Sequence, residues 1–193
     1  MTLIIGGVLL WTVVHFSPAI APGLRLGLID KLGAGPYRGI FALTILTAVV
    51  LIVIGWRSTP EDYLYVLPAW SRMLGIGLMV FSFILIGAAQ SKSVIRRFIR
   101  HPMLMGVFVW SVSHVLTNGT SRALVLFGAL GIWALIEMPL INARSGTWVK
   151  PEAPTMMVEL RGLVISAIIF LVVLWLHPYF TGVAPIPAYT RHL

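Results

Sequence analysis

Between Leu3 and Ile20 the chain runs without a single Asp, Glu, Lys or Arg. Five more apolar stretches follow, roughly Tyr37–Trp56, Arg72–Gln90, Pro102–Asn118, Arg122–Asn142 and Leu160–Tyr179. As helices rising 1.5 Å per residue, each is long enough to cross a hydrocarbon core of about 30 Å. Lipid offers no hydrogen-bond partners, so a spanning backbone must satisfy itself as a helix or a closed barrel. Runs this long select the helix. Composition agrees: 59% of the 193 residues are hydrophobic and only 10% are charged, against about 25% charged in a typical soluble domain. The fold class expected is all-α: a polytopic integral membrane bundle of about six transmembrane helices, a single domain over residues 1–193.

The first stretch ends in "AIA", which imitates a signal-peptidase site. No Lys or Arg precedes it, and a secretory signal requires that basic start, so a retained helix is expected. The formal net charge is +8. Ten of the fourteen basic residues (Arg25, Lys31, Arg38, Lys92, Arg96, Arg97, Arg100, Arg144, Lys150 and Arg161) fall in or beside one set of connections. Arg57, Arg72, Arg122 and Arg191 fall on the other side. The positive-inside bias then places both termini outside and the basic connections in the cytoplasm. No basic face with interleaved aromatics remains for nucleic acid; the partner expected is the lipid bilayer. Cysteine is absent, which excludes disulfides, thiolate metal sites and cysteine nucleophiles.

The connections differ in character. Residues 21–39 are weakly amphipathic and suit the membrane interface. Residues 57–70 form an outside loop with Tyr and Trp at headgroup level. Residues 91–102 are the most basic and lead into Pro102, which suits a first helical position. Residues 117–121, "TNGTS", read as a tight turn. Residues 144–157 are the loosest connection, and the Pro-rich C-terminal segment is expected outside.

Ionisable groups inside the membrane are costly and usually functional. Here they are few: His15, His114 and Glu137, with His101 and His177 near helix ends. Two of the histidines share a pattern, "WTVVH" at 11–15 and "WSVSH" at 110–114. On one helix Gly106, Trp110 and His114 fall on a single stripe, which offers a gap, a flat wall and an imidazole. Two imidazoles from different helices can hold the iron of a b-type haem without covalent attachment. Against this, a lone intramembrane histidine more often hydrogen-bonds a neighbouring helix. Met103 and Met105 are near, but methionine in a bundle usually packs. Zinc fits poorly, with no His-x-x-x-His pair and no third ligand. Glu137 reads either as a partner for Arg97, Arg100 or Arg144, or as an acceptor that orients an imidazole. Arg96, Arg97 and Arg100 read as a cytoplasmic anchor, or as holders of haem propionates or a lipid headgroup.

Four segments, "WTVVHFSPAIAPGLR", "GPYRGIFAL", "RHPMLMGVFVWSVSHVLTNG" and "LWLHPYFTGVAP", together resemble the NnrU family of bacterial membrane proteins. That family is in turn similar to the plant and cyanobacterial zeta-carotene isomerases. The resemblance implies a role in denitrification, in support of nitrite and nitric oxide reduction, within the bacterial inner membrane. From the isomerases it implies a b-type haem with two axial histidines, here His15 and His114, and isomerisation of a cis double bond in a polyene. His101 and His177 match family histidines without an assigned role. Two isomerase histidines fall near Trp56 and Trp133 here, a departure that bears on the isomerase activity. By depth alone His15 pairs more easily with His101, which is kept as the substitute for His114.

Three readings follow: a haem-b accessory protein of the NnrU type, a haem-dependent isomerase of a polyene or lipid-like ligand, and a structural subunit of a larger membrane complex. A membrane methyltransferase is weaker. "RHPMLMG" resembles its Arg-His-Pro-x-x-x-Gly stretch, but "IEMPLINARSGTWVKPEAP" supplies too little of the later donor-binding stretch.

Overall fold

The computed structural model describes residues 1–183. The expected outside placement of the C-terminal segment beyond them lies outside the described residues. In chain order come α1 (Thr2–Ile20), α2 (Pro22–Leu32), α3 (Ala34–Ser58), α4 (Ala69–Gln90), a 3-10 turn (Val94–Arg97), α5 (Pro102–Thr117), α6 (Ser121–Ser145) and α7 (Met156–Thr181). No strand occurs among the described residues; one isolated antiparallel bridge joins Tyr63 to Thr120. The protein is an all-helical membrane bundle, as expected.

Five helices are long and apolar enough to cross a membrane. The sixth expected span, α5, has 16 residues and rises only about 24 Å, less than a typical hydrocarbon core. Its ends are fixed chemically. Pro102 starts it, and at the far end the Asn118 amide turns back to the His114 carbonyl at 3.0 Å. The connection expected at the interface is the helix α2, which has no buried residue.

The spanning helices pack in the order α3, α1, α6, α5, α4, α7, and α7 touches α3 again. Lipid tails are as apolar as leucine, so hydrophobicity does not drive these contacts; small residues that let backbones approach do. A Cβ on Gly7 of α1 would lie 2.8 Å from the Ala48 carbonyl oxygen of α3, and one on Gly55 of α3 would lie 2.7 Å from the Ile4 nitrogen. Between α4 and α5 the exchange is reciprocal. Ser82 Oγ donates to the Gly106 carbonyl and Ser113 Oγ donates to the Gly75 carbonyl, both at 2.8 Å. On α6, Gly131 meets Ser111 of α5.

The last helix stands apart. Only Ser166 of α7 is buried, where it meets Gly87 of α4. Elsewhere α7 is tied at points. Glu159 accepts from Ser93 Oγ at 2.8 Å and from the Val94 nitrogen at 3.0 Å. Phe170 meets Phe83 edge-on at 5.1 Å. At the opposite end Trp56 Nε1 donates to the Thr181 carbonyl at 3.2 Å, and Arg57 donates to the Tyr179 carbonyl at 2.9 Å. These last two bonds close the ring of helices.

A Cβ on Gly106 would meet Ile86 Cγ1 at 2.7 Å and the Ser82 carbonyl oxygen at 3.0 Å, whereas one on Gly128 would meet nothing within 4 Å. Gly106→Ala is therefore expected to destabilise the detergent-solubilised protein by about 1–3 kcal/mol, and Gly128→Ala to be neutral or slightly stabilising through helix propensity. Thermal unfolding followed by circular dichroism checks the contrast.

Candidate functional site

Both Trp-x-x-x-His pairs do the same thing locally. Four residues apart on a helix, each imidazole leans on the preceding indole: 4.3 Å between ring centres for Trp11 and His15, 4.6 Å for Trp110 and His114. The imidazole Nδ1 also reaches the backbone carbonyl one turn back, at 2.9 Å from Trp11 O and 3.0 Å from Trp110 O. A carbonyl only accepts, so Nδ1 carries the hydrogen and a neutral ring presents its Nε2 lone pair. The repeated motif is thus a device for fixing a tautomer inside the membrane.

The structure does not gather the two expected axial histidines. His15 lies among Trp11, Phe41 and Trp133, with ring-centre distances of 5.8 Å to Phe41 and 5.0 Å to Trp133. His114 lies against Phe127 at 4.2 Å, with Trp110 beside both. Trp133 and Phe127 sit on the same helix six residues apart, about 9 Å along its axis, so the two histidines occupy different levels. They differ because α1 and α5 enter the bundle from opposite ends, and each histidine is late in its own helix. His101 does not substitute. It precedes α5 at the basic end and its Nε2 meets Asn142 Oδ1 at 2.8 Å. Gly106, expected to leave a gap beside Trp110, instead faces α4 and is filled by Ser82 and Ile86.

The ring that does face His114 is His177. Their centres are 6.4 Å apart and their planes 25° from parallel. His177 Nδ1 meets the Val183 carbonyl at 2.9 Å and Thr181 Oγ1 at 3.1 Å, so its Nε2 is also the lone-pair nitrogen. Neither Nε2 has a hydrogen-bond partner among the described residues. Sequence flags His177 in "LHP" but cannot pair it, because nothing local says that the C-terminal end of α7 approaches His114. Among the described residues no three His, Asp or Glu side chains gather as an ion site; what is built is a pair.

The chain matches the family model described as "NnrU protein" over residues 3–185. It belongs to the NnrU family. No curated protein and no solved structure matches it.

In this NnrU protein Trp56 and Trp133 have structural work. Trp56 ties α3 to α7 and lies 5.8 Å from Phe127, while the Arg122 guanidinium sits over its ring at 4.4 Å. Trp133 packs edge-on against Trp11 at 5.4 Å. The indole nitrogens of Trp11 and Trp133, and Oε2 of Glu137 on the next turn of α6, are buried without a partner among the described residues. Of the two readings of Glu137, the ion pair with Arg97, Arg100 or Arg144 is not formed among the described residues.

A charged residue that sequence reading placed at the very start of a span turns out to be central. Arg122 is 7% exposed. It donates to the Trp56 carbonyl at 2.9 Å and the Thr59 carbonyl at 3.0 Å, and pairs with Glu61. It thus satisfies carbonyls that the C-terminus of α3 leaves unpaired. Its signal in sequence is faint: an arginine one residue into a helix, where the dipole disfavours it. Arg122→Gln is expected to cost about 1–3 kcal/mol, because buried acceptors lose their donors. Glu137→Gln is expected to be neutral or stabilising, since it removes an uncompensated buried carboxyl. Thermal melts of the two variants, read against the parent, check both.

Proposed function

We propose that this NnrU protein of the bacterial inner membrane binds a b-type haem between α5 and α7, which His114 and His177 would hold, in support of nitrite and nitric oxide reduction. The observation that carries the proposal is the imidazole pair. Two imidazoles that share one metal ion would bring their ring centres to about 6 Å of each other. The observed 6.4 Å fits that spacing. Backbone carbonyls hold both Nδ1 atoms, which orients each ring and raises its basicity as a ligand. α7 is anchored at points rather than packed along its length, so it can yield to a flat group entering from the lipid. Trp110 and Phe127 supply aromatic walls.

When bound, the haem supplies one-electron exchange. The residues around it would hold it, keep water away and fix the imidazole tautomers. An electron-transfer or accessory role is favoured over polyene isomerisation, because the resemblance puts two isomerase histidines near Trp56 and Trp133, where this chain has indoles committed to packing. The role in denitrification rests on the family resemblance.

Protein purified from cells supplied with haem precursor should show a Soret band, and a sharp α band on reduction. His114→Ala and His177→Ala should each abolish this low-spin spectrum, while His15→Ala should retain it. A colourless parent protein overturns the haem proposal. Loss of the bands in His15→Ala, with His177→Ala unaffected, returns the second axial position to His15.

A further inference from the structure

A second site lies at the basic end, away from the histidine pair. There α1, α2 and α3 enclose a cleft of about 170 Å³. Its walls are apolar: Val14 from α1, Ala21 at the α1–α2 junction, Leu24 and Leu28 from α2, Phe41 from α3. The hydroxyls of Ser17 and Thr44 also border it, but both are committed to carbonyls of their own helices at 2.8 Å. One charged group lines the cleft, Arg25, whose guanidinium lies 5.9 Å from the centre of the Tyr37 ring.

We propose that this cleft binds an anionic glycerophospholipid, one acyl chain lying in the slot and the phosphate on Arg25. Three observations converge. The cleft sits where a spanning helix ends and α2, an unburied helix carrying Leu24, Leu26, Leu28 and Leu32 on its exposed surface, begins. The end of a spanning helix marks headgroup depth. The only committed interaction of Arg25 among the described residues is its loose stacking on Tyr37, so its planar fork of N–H donors is available for phosphate. The other charged residues between positions 21 and 39 are Asp30, Lys31 and Arg38. With Arg25 they sum to a positive field, which favours an anionic headgroup over a zwitterionic one. A wholly apolar ligand would leave the guanidinium without a partner, and a free anion would leave the slot unfilled.

The inner wall gives the site a second consequence. Phe41 lines the cleft and also meets His15 edge-on at 5.8 Å. A chain seated in the slot therefore presses on the aromatic cluster of His15, Trp11 and Trp133. This gives His15 a packing role in a lipid-responsive cluster, independent of whether haem is bound elsewhere.

The test uses the full-length protein in nanodiscs that contain trace phosphatidylglycerol or phosphatidylcholine with a photoreactive diazirine on one acyl chain. After irradiation, labelled peptides are mapped by mass spectrometry. Phosphatidylglycerol should label the segment 14–44 about fivefold more than phosphatidylcholine, the effect of one basic side chain at a membrane surface. Arg25→Gln should remove that preference, while Lys31→Gln, which lies outside the cleft, should leave most of it. Ala21→Phe, which fills the slot, should abolish labelling of Phe41 and Leu28 by either lipid. Equal labelling by both lipids in the parent protein overturns headgroup recognition without reference to any variant. Label spread evenly over the lipid-facing surface of α3 and α7 overturns the site itself. Neither outcome bears on the visible spectrum, so failure here is distinct from failure of the haem proposal.

Discussion

Two serine hydroxyls that donate to glycine carbonyls, Ser82 to Gly106 and Ser113 to Gly75, hold α4 against α5. The candidate site depends on that contact. In lipid, no hydrophobic force draws two helices together. They meet where a missing side chain admits the neighbouring backbone and a polar group finds an acceptor across the gap. Once α4 and α5 are locked, the facing of α5 is fixed, and His114 is turned away from α4 toward Phe127 and α7.

The same economy of small residues explains why α7 is different. It meets α4 closely at one position, Gly87 with Ser166, and its ends are held by polar bonds to the Ser93–Val94 turn and to α3. A helix fixed at its ends and one interior point keeps its register while leaving space along its length. Its register is what sets His177 opposite His114. Arg122 contributes at the same end. By occupying the carbonyls of Trp56 and Thr59 and covering the Trp56 ring, it steadies the indole that bonds Thr181. Buried charge is thus spent on the joint that positions the last helix.

Much of the fold was legible because it follows from lengths and periods along one chain. Six apolar runs gave six apolar helices, five of them long enough to span, Pro102 and Asn118 marked the ends of α5, and the connection expected at the interface became α2. The histidines were legible as unusual, and the Trp-x-x-x-His spacing was legible as one helical turn. Their pairing was not. His15 and His114 look alike in sequence because each repeats the same local hydrogen bond to a carbonyl one turn back. That likeness reports a shared local conformation and says nothing about shared neighbours. Gly106 misled for a related reason: a glycine beside an aromatic stripe reads as a gap, yet the gap was already taken by a serine and an isoleucine from another helix.

The amino-acid sequence by itself determined that this chain is a helical membrane protein of the NnrU family, with few ionisable groups in its spans and a basic side. Those properties are sums over local segments and their cost in lipid. Only the tertiary structure decided which imidazoles face each other, that Arg122 is a buried joint, and that Arg25 stands at the mouth of an apolar cleft. Each of these depends on the rotation and depth of one helix relative to another, set by contacts between residues distant in the chain, and no local period encodes that.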